Sequence, residues 1–427
     1  MKTLMFGWEF PPVISGGLGT ACFGLTKGLT DKGVDVTFVL PTLSEGAGGS
    51  HVELVGADSI ELTHVEAQRL LGKLERIPVN SPLAPYLSGK EYGAIITKMK
   101  AEEKQDPHTI VQALKKRMTG NYGPELMSEI TRYSSVAGAF SSSREYDVIH
   151  AHDWMTYPAG IEARKRNRRP LVAHVHATES DRNGDNINRE VYEIEREGLH
   201  AADRVIAVSD FTKRKLIRHY GIEHSRIDIV HNGILNAEAA SGICGDRGLS
   251  EKIVLFLGRI TFQKGPEYFI EAAKKVTDRI PDVRFVMAGT GDMFPRMVEK
   301  MAAMRMGKYF HFTGFLRGAE VDRMYAMSDL YVMPSVSEPF GITPLEAMRY
   351  DIPVIISKQS GVAEVAEHAV KVDFWDIDRL ADTIVDILAD EQGARRMVCE
   401  SRKRLAGLSW HTAADKVIQT YRKAACG

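Results

Sequence analysis

Two carboxylates open the chemistry of this 427-residue chain: Glu338 and Glu346, with seven residues between them in Glu338-Pro-Phe-Gly-Ile-Thr-Pro-Leu-Glu346. Glu338 follows the short apolar run 330–333, and Glu346 falls about one turn into a helix expected to begin near Ile342. One carboxylate can accept hydroxyl hydrogen bonds at the helix mouth while the other reaches a second polyol. Between them, the helix start at Gly341, Ile342 and Thr343 is left to hold phosphate, because its N–H groups are unpaired and its dipole end is positive. Upstream, Arg259-Ile-Thr-Phe-Gln-Lys264 puts two cations on one loop. Arginine can grip a diphosphate through two parallel bonds, and lysine adds a point charge. Sugar, diphosphate, ribose is the order of groups in a nucleotide sugar.

The first half carries its own candidates. Gly16-Gly17-Leu18-Gly19 leads straight into a helical stretch, where glycines let the backbone come close to a phosphate. It lacks the GxGxxG spacing and any acidic partner about 20 residues on, which weakens a dinucleotide dehydrogenase, and no GxxxxGK[ST] run is present. His150-Ala-His152-Asp153-Trp154 and His174-Val-His176 are two HxH pairs beside a carboxylate. Imidazole and carboxylate suit zinc or manganese. Strand alternation puts both members of each pair on one face, so packing plus one ligand-contacting histidine per pair explains them equally well.

These groups need elements that aim them. Apolar runs at 3–6, 34–40, 146–151, 170–175, 204–208 and 227–230 read as strands, with helical stretches at 19–32, 124–141, 156–165 and 188–200. The pattern restarts at 253–258 and continues with strands at 283–288, 309–312, 330–333, 354–356 and 370–372. Continuously apolar strands alternating with helices imply parallel sheets covered on both faces. The expectation is an α/β chain of two Rossmann-like, doubly wound domains, 1–235 and 251–405, followed by a C-terminal helix within 406–427. Residues 236–250 read as the linker, and 42–123 break the rhythm as an insertion in the first domain. In open parallel sheets ligands bind outside the carboxyl ends of the strands, where every candidate above falls.

Composition narrows the function classes. With 44% hydrophobic and 26% charged residues, the chain is globular rather than fibrous or disordered. Lys plus Arg (55) cancels Asp plus Glu (56), so no global field attracts nucleic acid or anionic lipid. No apolar run approaches the roughly 20 residues of a membrane span, and the N-terminus lacks a secretory signal. Four scattered cysteines without CxxC spacing argue against a disulfide framework, and a cytoplasmic location is expected.

Taken together, the motifs resemble those of the retaining GT-B glycosyltransferases over nearly the whole chain. Glu338 and Glu346 match the E-x7-E signature, Arg259 and Lys264 the R-x4-K pair, and Gly16-Gly17-Leu18-Gly19 the N-terminal glycine loop. His152-Asp153-Trp154 matches the HDW segment, and His176 the histidine ending the next strand. Within that superfamily the chain is most similar to the glycogen and starch synthases and the family 4 group. His176-Ala-Thr-Glu-Ser-Asp-Arg182 resembles a segment of eukaryotic glycogen synthases, which implies Arg182 near the donor phosphates.

The resemblance implies a metal-independent transfer of glucose from UDP- or ADP-glucose to an α-glucan, without a cofactor. Glu346 would bind ribose, while Arg259 and Lys264 would neutralise the leaving phosphate. Glu338 would steady the sugar, and His176 with Asp153 would bind its 6-hydroxyl side. Gly16, Gly17, Gly341, Ile342 and Thr343 would line the donor. A sucrose-type synthase or mannosyltransferase stays open, as do a metal-dependent hydrolase built on the HxH pairs and a sugar-binding module. The partners implied are the nucleotide sugar and a glucan or other hydroxyl acceptor, with homo-oligomerisation left open.

Overall fold

The computed structural model describes residues 1–12, 16–43, 50–63, 65–68, 118, 120, 126–234, 250–405 and 407–426. Strands β1 (Lys2–Phe6), β2 (Asp35–Leu40), β3 (Glu53–Gly56), β4 (Val148–His152), β5 (Leu171–Val175), β6 (Arg204–Ala207) and β7 (Ile227–Ile229) form one parallel sheet. Its order is β3-β2-β1-β4-β5-β6-β7. A second parallel sheet is built from β8 (Lys252–Leu257), β9 (Val283–Ala288), β10 (Phe310–Gly314), β11 (Leu330–Met333), β12 (Val354–Ser357) and β13 (Val370–Val372). It runs β10-β9-β8-β11-β12-β13. Both orders reverse direction once, between β1 and β4 and between β8 and β11, and there the strand ends splay to leave a ligand crevice.

The sheets bear out the expected α/β architecture. Strand β3 is an addition inside the stretch expected to be an insertion. It sits at the sheet edge and is mostly half-exposed, so no continuous apolar run announced it. Most of 42–123, and the linker at 235–249, lie outside the described residues.

Helices α1 (Gly17–Asp31), α2 (Leu126–Phe140), α3 (Tyr157–Asn167), α4 (Glu179–Asn183), α5 (Arg189–Ala201) and α6 (Asp210–Tyr220) accompany the first sheet. The second carries α7 (Pro266–Thr277), α8 (Phe294–Ala303), α9 (Ala319–Met327), α10 (Thr343–Arg349), α11 (Ile377–Ala389) and α12 (Glu391–Leu405). Among the described residues no helix is long and apolar enough to cross a membrane.

Helix α13 (Trp410–Ala425) packs on the first domain, although it follows the second in sequence. Its Ala413, Ala414, Val417 and Tyr421 join one buried cluster with Met5, Cys22 and Leu25. The groove that receives it is cut by two glycines one turn apart. A Cβ on Gly24 would lie 2.1 Å from the Trp410 ring, and one on Gly28 would lie 2.4 Å from the Trp410 carbonyl oxygen. His411 to Asp31 (3.1 Å) and Lys423 to Asp228 (2.6 Å) hold the two ends of the helix. Trp410→Ala removes the ring that fills the groove and should cost about 3–5 kcal/mol in urea unfolding. Gly24→Ala should also lower stability, because the added methyl meets the same ring. Near-neutral values for both would mean that α13 contributes nothing to the first domain.

Candidate active site

The second domain contributes cations and carboxylates from three neighbouring strand ends. Beyond β8, Arg259 is exposed, and its guanidinium makes no hydrogen bond or ion pair among the described residues. The short turn Phe262–Lys264 brings Lys264 Nζ to 2.5 Å from Glu338 Oε2, which also accepts from Ser335 Oγ at 3.1 Å. Glu338 is only 6% exposed, so this is a buried ion pair rather than a solvated one. Its backbone is clamped on both sides, its N–H donating to Gln359 O and its carbonyl accepting from Gly361 N, each at 2.9 Å. Gly341 ends the loop at φ +100°, and a Cβ there would lie 3.1 Å from Glu338 Cγ. Only glycine leaves the Glu338 side chain where it is.

Helix α10 starts at Thr343, with Ile342 as its N-cap, as the sequence implied. Two tyrosines that sequence reading missed aim its polar groups. Tyr331 donates to Thr343 Oγ1 at 2.7 Å, and Tyr325 to Glu346 Oε2 at 3.0 Å. Burial raises the Glu346 pKa, and the Tyr325 hydroxyl works against that rise. Neither tyrosine stands out in sequence, since nothing in a spacing pattern separates a packing ring from a hydroxyl placed at a helix mouth.

In the first domain, β4 and β5 end side by side and stack four imidazoles. Ring centroids of His150 and His152 lie 4.3 Å apart, as do those of His174 and His176. His152 Nδ1 meets His176 Nε2 at 3.0 Å, and His150 Nε2 meets His174 Nδ1 at 3.2 Å. On the other side, His150 Nδ1 lies 2.6 Å from the Tyr421 hydroxyl of α13. Burial drives all four rings toward the neutral form, taking His150 and His176 down to about 3.

Asp153 follows with φ +60°, a left-handed turn that points its carboxylate back at the next strand end. Asp153 Oδ1 accepts from the N–H of His176 at 2.7 Å and of Ala177 at 3.3 Å. The carboxylate therefore fixes the turn that carries His176. Gly16 and Gly17 open α1 with extended φ at Gly16, and a Cβ at either would meet nothing within 4 Å. Among the described residues, neither position is crowded enough to exclude a side chain.

The Arg182 guanidinium donates to Glu195 Oε1 at 3.1 Å and to the Ala177 carbonyl at 2.9 Å, with Glu179 3.6 Å away. Two buried carboxylates need a counterion, and Arg182 supplies it. Burial lifts the Glu195 carboxyl to about 7 against the opposing pull of Arg182.

A polar bridge joins the two halves, and no spacing pattern foreshadowed it. Ser337, the residue before Glu338, donates to Asp181 Oδ1 of α4 at 2.6 Å, and Lys215 of α6 donates to both. Ser209 donates to the Pro339 carbonyl at 2.6 Å, and the N–H groups of Asp210 and Phe211 reach the Glu364 carboxylate at 2.9 and 2.8 Å. Turn 262–264 packs against α4, and Ile342 touches the apolar clusters of both domains. Glu338 and Lys264 are thus seated against α4, which begins three residues after His176.

Comparison with known proteins completes the picture. Residues 246–404 match the family model described as Glycosyl transferases group 1, and residues 95–235 match Glycosyltransferase Family 4. The chain is a glycosyltransferase with the GT-B fold. Its relatives include an uncharacterized glycosyltransferase of Methanocaldococcus jannaschii, 27% identical over 99% of this chain and 98% of that one. The glycogen synthase of Mycobacterium tuberculosis is 26% identical over 100% of this chain and 96% of its own. Among solved structures, sucrose-phosphate synthase from Thermosynechococcus elongatus superposes with a TM-score of 0.72 at 19% identity, covering 99% and 98%. Anabaena HepE in complex with UDP and glucose gives 0.65 at 18% identity, covering 99% and 100%.

The buried carboxylate gives this glycosyltransferase a measurable pH signature. Burial lifts Asp153 to about 6, although Arg182 and two N–H donors pull it down. Protonation weakens the bonds that hold the His176 turn, so kcat/KM should fall on the acid side with an apparent pKa near 6. Because the folded value lies above the unfolded value of about 3.9, the carboxyl's contribution to stability is complete below about pH 4 and is lost as pH rises through about 6. Asp153→Asn should therefore hold or raise Tm at pH 8 while depressing turnover and removing the acid limb. Parallel losses of Tm and activity would make the residue purely structural.

Proposed function

We propose that this glycosyltransferase moves a glucosyl unit from UDP- or ADP-glucose to an α-glucan, with retention at the anomeric carbon and without a metal. One observation carries the reading: the Lys264–Glu338 pair, buried at 2.5 Å, beside an exposed and unpaired Arg259 at the same sheet edge. A departing diphosphate develops negative charge, which the unpaired Arg259 can meet directly and the Lys264 ammonium, held in place by Glu338, can share. The glycogen synthase relative and the UDP-glucose complex of HepE support the choice of donor and acceptor class.

In this scheme the nucleotide lies along the second domain, its ribose on Glu346 and its phosphates at the Thr343 helix start. Arg259 and Lys264 neutralise the leaving group, the preorganised electrostatic contribution that usually dominates such catalysis. Glu338 accepts from sugar hydroxyls and offsets positive charge at the anomeric centre. His176, neutral and half-buried, hydrogen-bonds the sugar from the opposite wall. The acceptor hydroxyl attacks from the leaving-group face. Arg182 acts indirectly, by keeping α4 and α5 together through Glu195.

Turnover of radiolabelled UDP-, ADP- and GDP-sugars, with glycogen, with small sugar acceptors and with neither, tests the donor and acceptor. Label entering glycogen from UDP- or ADP-glucose is expected. Transfer only to small sugars would replace the glucan by a sucrose-type acceptor, and loss of activity in EDTA would revive the hydrolase.

Arg259→Ala and Lys264→Ala should each lower kcat by roughly 100- to 1,000-fold, with a much smaller change in donor KM. Lys264→Ala also strands Glu338 in a buried position, so its Tm should drop, whereas that of Arg259→Ala should not. A change in KM alone would make both residues uniform binders.

A further inference from the structure

The largest concentration of chemistry that the proposed transfer leaves unused lies behind His176. Cys22, on the inward face of α1, is buried and carries a free thiol. It shares its surroundings with His152 and His176, and one ligating atom from each falls within 4.8 Å of the others. His152 is fully buried, and among the described residues its Nε2 has no hydrogen-bond partner. A buried ring nitrogen left in that state costs about 1–3 kcal/mol, which calls for a reason.

We propose that Cys22, His152 and His176 form a site for a borderline-soft cation, zinc(II) above all, and that its occupation shuts the transferase off. Thiolate plus two imidazoles is a donor set that zinc takes in tetrahedral form, with the fourth position open to water. Bond lengths of about 2.3 Å to sulfur and 2.0 Å to nitrogen place such ligand atoms roughly 3.4–3.6 Å apart, so the trio need contract by only about an ångström. The neighbouring trio His150, His152 and His174 is less suited, because both ring nitrogens of His150 are already engaged, by Tyr421 and by His174. It is also sealed on all sides, whereas the half-buried His176 gives the first trio an opening to the cleft.

Charge favours the same choice. The carboxylates of Asp153 and Glu9 lie close enough to Cys22 to oppose its ionisation, in addition to burial, which is the larger effect. A dication reverses the sign of both influences: it displaces the thiol proton, and the two carboxylates then stabilise the positive centre. Zinc(II), one thiolate and two neutral imidazoles sum to one positive charge, which ionised Asp153 cancels. Binding releases a proton, so affinity rises with pH.

The inhibition rests on the proposed role of His176, since a ring held by the metal is withdrawn from the sugar. Binding does not rest on it, and the two are read separately. Cobalt(II) titrated into the full chain should bind one equivalent with a thiolate-to-metal charge-transfer band and tetrahedral d–d absorption. Cys22→Ala and Cys22→Ser should both lose that band and bind cobalt and zinc at least about 10- to 100-fold more weakly. Both should keep a cooperative melt and the wild-type basal turnover. Zinc should depress wild-type transfer, EDTA should restore it, and the Cys22 variants should resist. A wild-type chain that takes up no cobalt, or variants with unchanged cobalt spectra, would overturn the site. A cobalt–thiolate band accompanied by full transfer in saturating zinc would keep the site and overturn the inhibition, and with it the contact between His176 and the sugar.

Discussion

Asp181 accepts from Ser337, and that one carboxylate makes a single site out of two domains. Its Oδ2 atom closes the capping box of α4 by accepting from the Thr178 N–H at 2.8 Å, while Oδ1 takes Ser337 and Lys215 from across the junction. Burial alone would push the carboxyl up, yet Lys215, Ser337 and the Thr178 N–H together hold its pKa below the usual range. Helix capping, domain docking and placement of the Glu338 loop therefore share one anion. Each is weak singly, but a buried charge with several donors tolerates the loss of none of them without a large cost.

Across this junction the two walls manage charge differently. The second domain keeps its cations poised, Lys264 on Glu338 and Arg259 unpaired beside it. The first domain keeps its wall neutral: four histidines driven to the uncharged form, and Arg182 absorbed by Glu195 and Glu179. Among the described residues, the unpaired positive charge at the cleft therefore comes from the second domain, an asymmetry that would orient an anionic ligand.

What could be read from sequence followed the physics of periodicity. Buried parallel strands appear as unbroken apolar runs, so 283–288, 330–333 and 370–372 were placed to the residue, and the start of α10 at Ile342-Thr343 was readable from its neighbours. Lys264 and Glu338 were legible as members of one constellation because each follows a strand end. Their direct contact was not, because side-chain pairing across 74 positions leaves no local trace. Asp181, Lys215, Ser337 and Tyr325 were invisible for the same reason: each sits at an ordinary helix or loop position, and only the folded chain brings them together. The carboxylate partners of Arg182 were not legible, because a motif fixes the position of a backbone but not the neighbours competing for a guanidinium.

The return of α13 has a consequence for biosynthesis. Until Trp410 emerges, the groove at Gly24 and Gly28 is an exposed apolar strip, and the His150 ring lacks its Tyr421 partner. At roughly 5–20 residues per second, translation takes on the order of 20–75 seconds to pass from α1 to α13. For that interval the first domain has its sheet but not its last wall, and a nascent chain in this state is a natural client for a chaperone that shields hydrophobic surface. Arrest or truncation anywhere after the second sheet would leave two nearly finished domains and an open flank on the first. The last wall of the first domain is thus supplied by a helix made after the whole second domain.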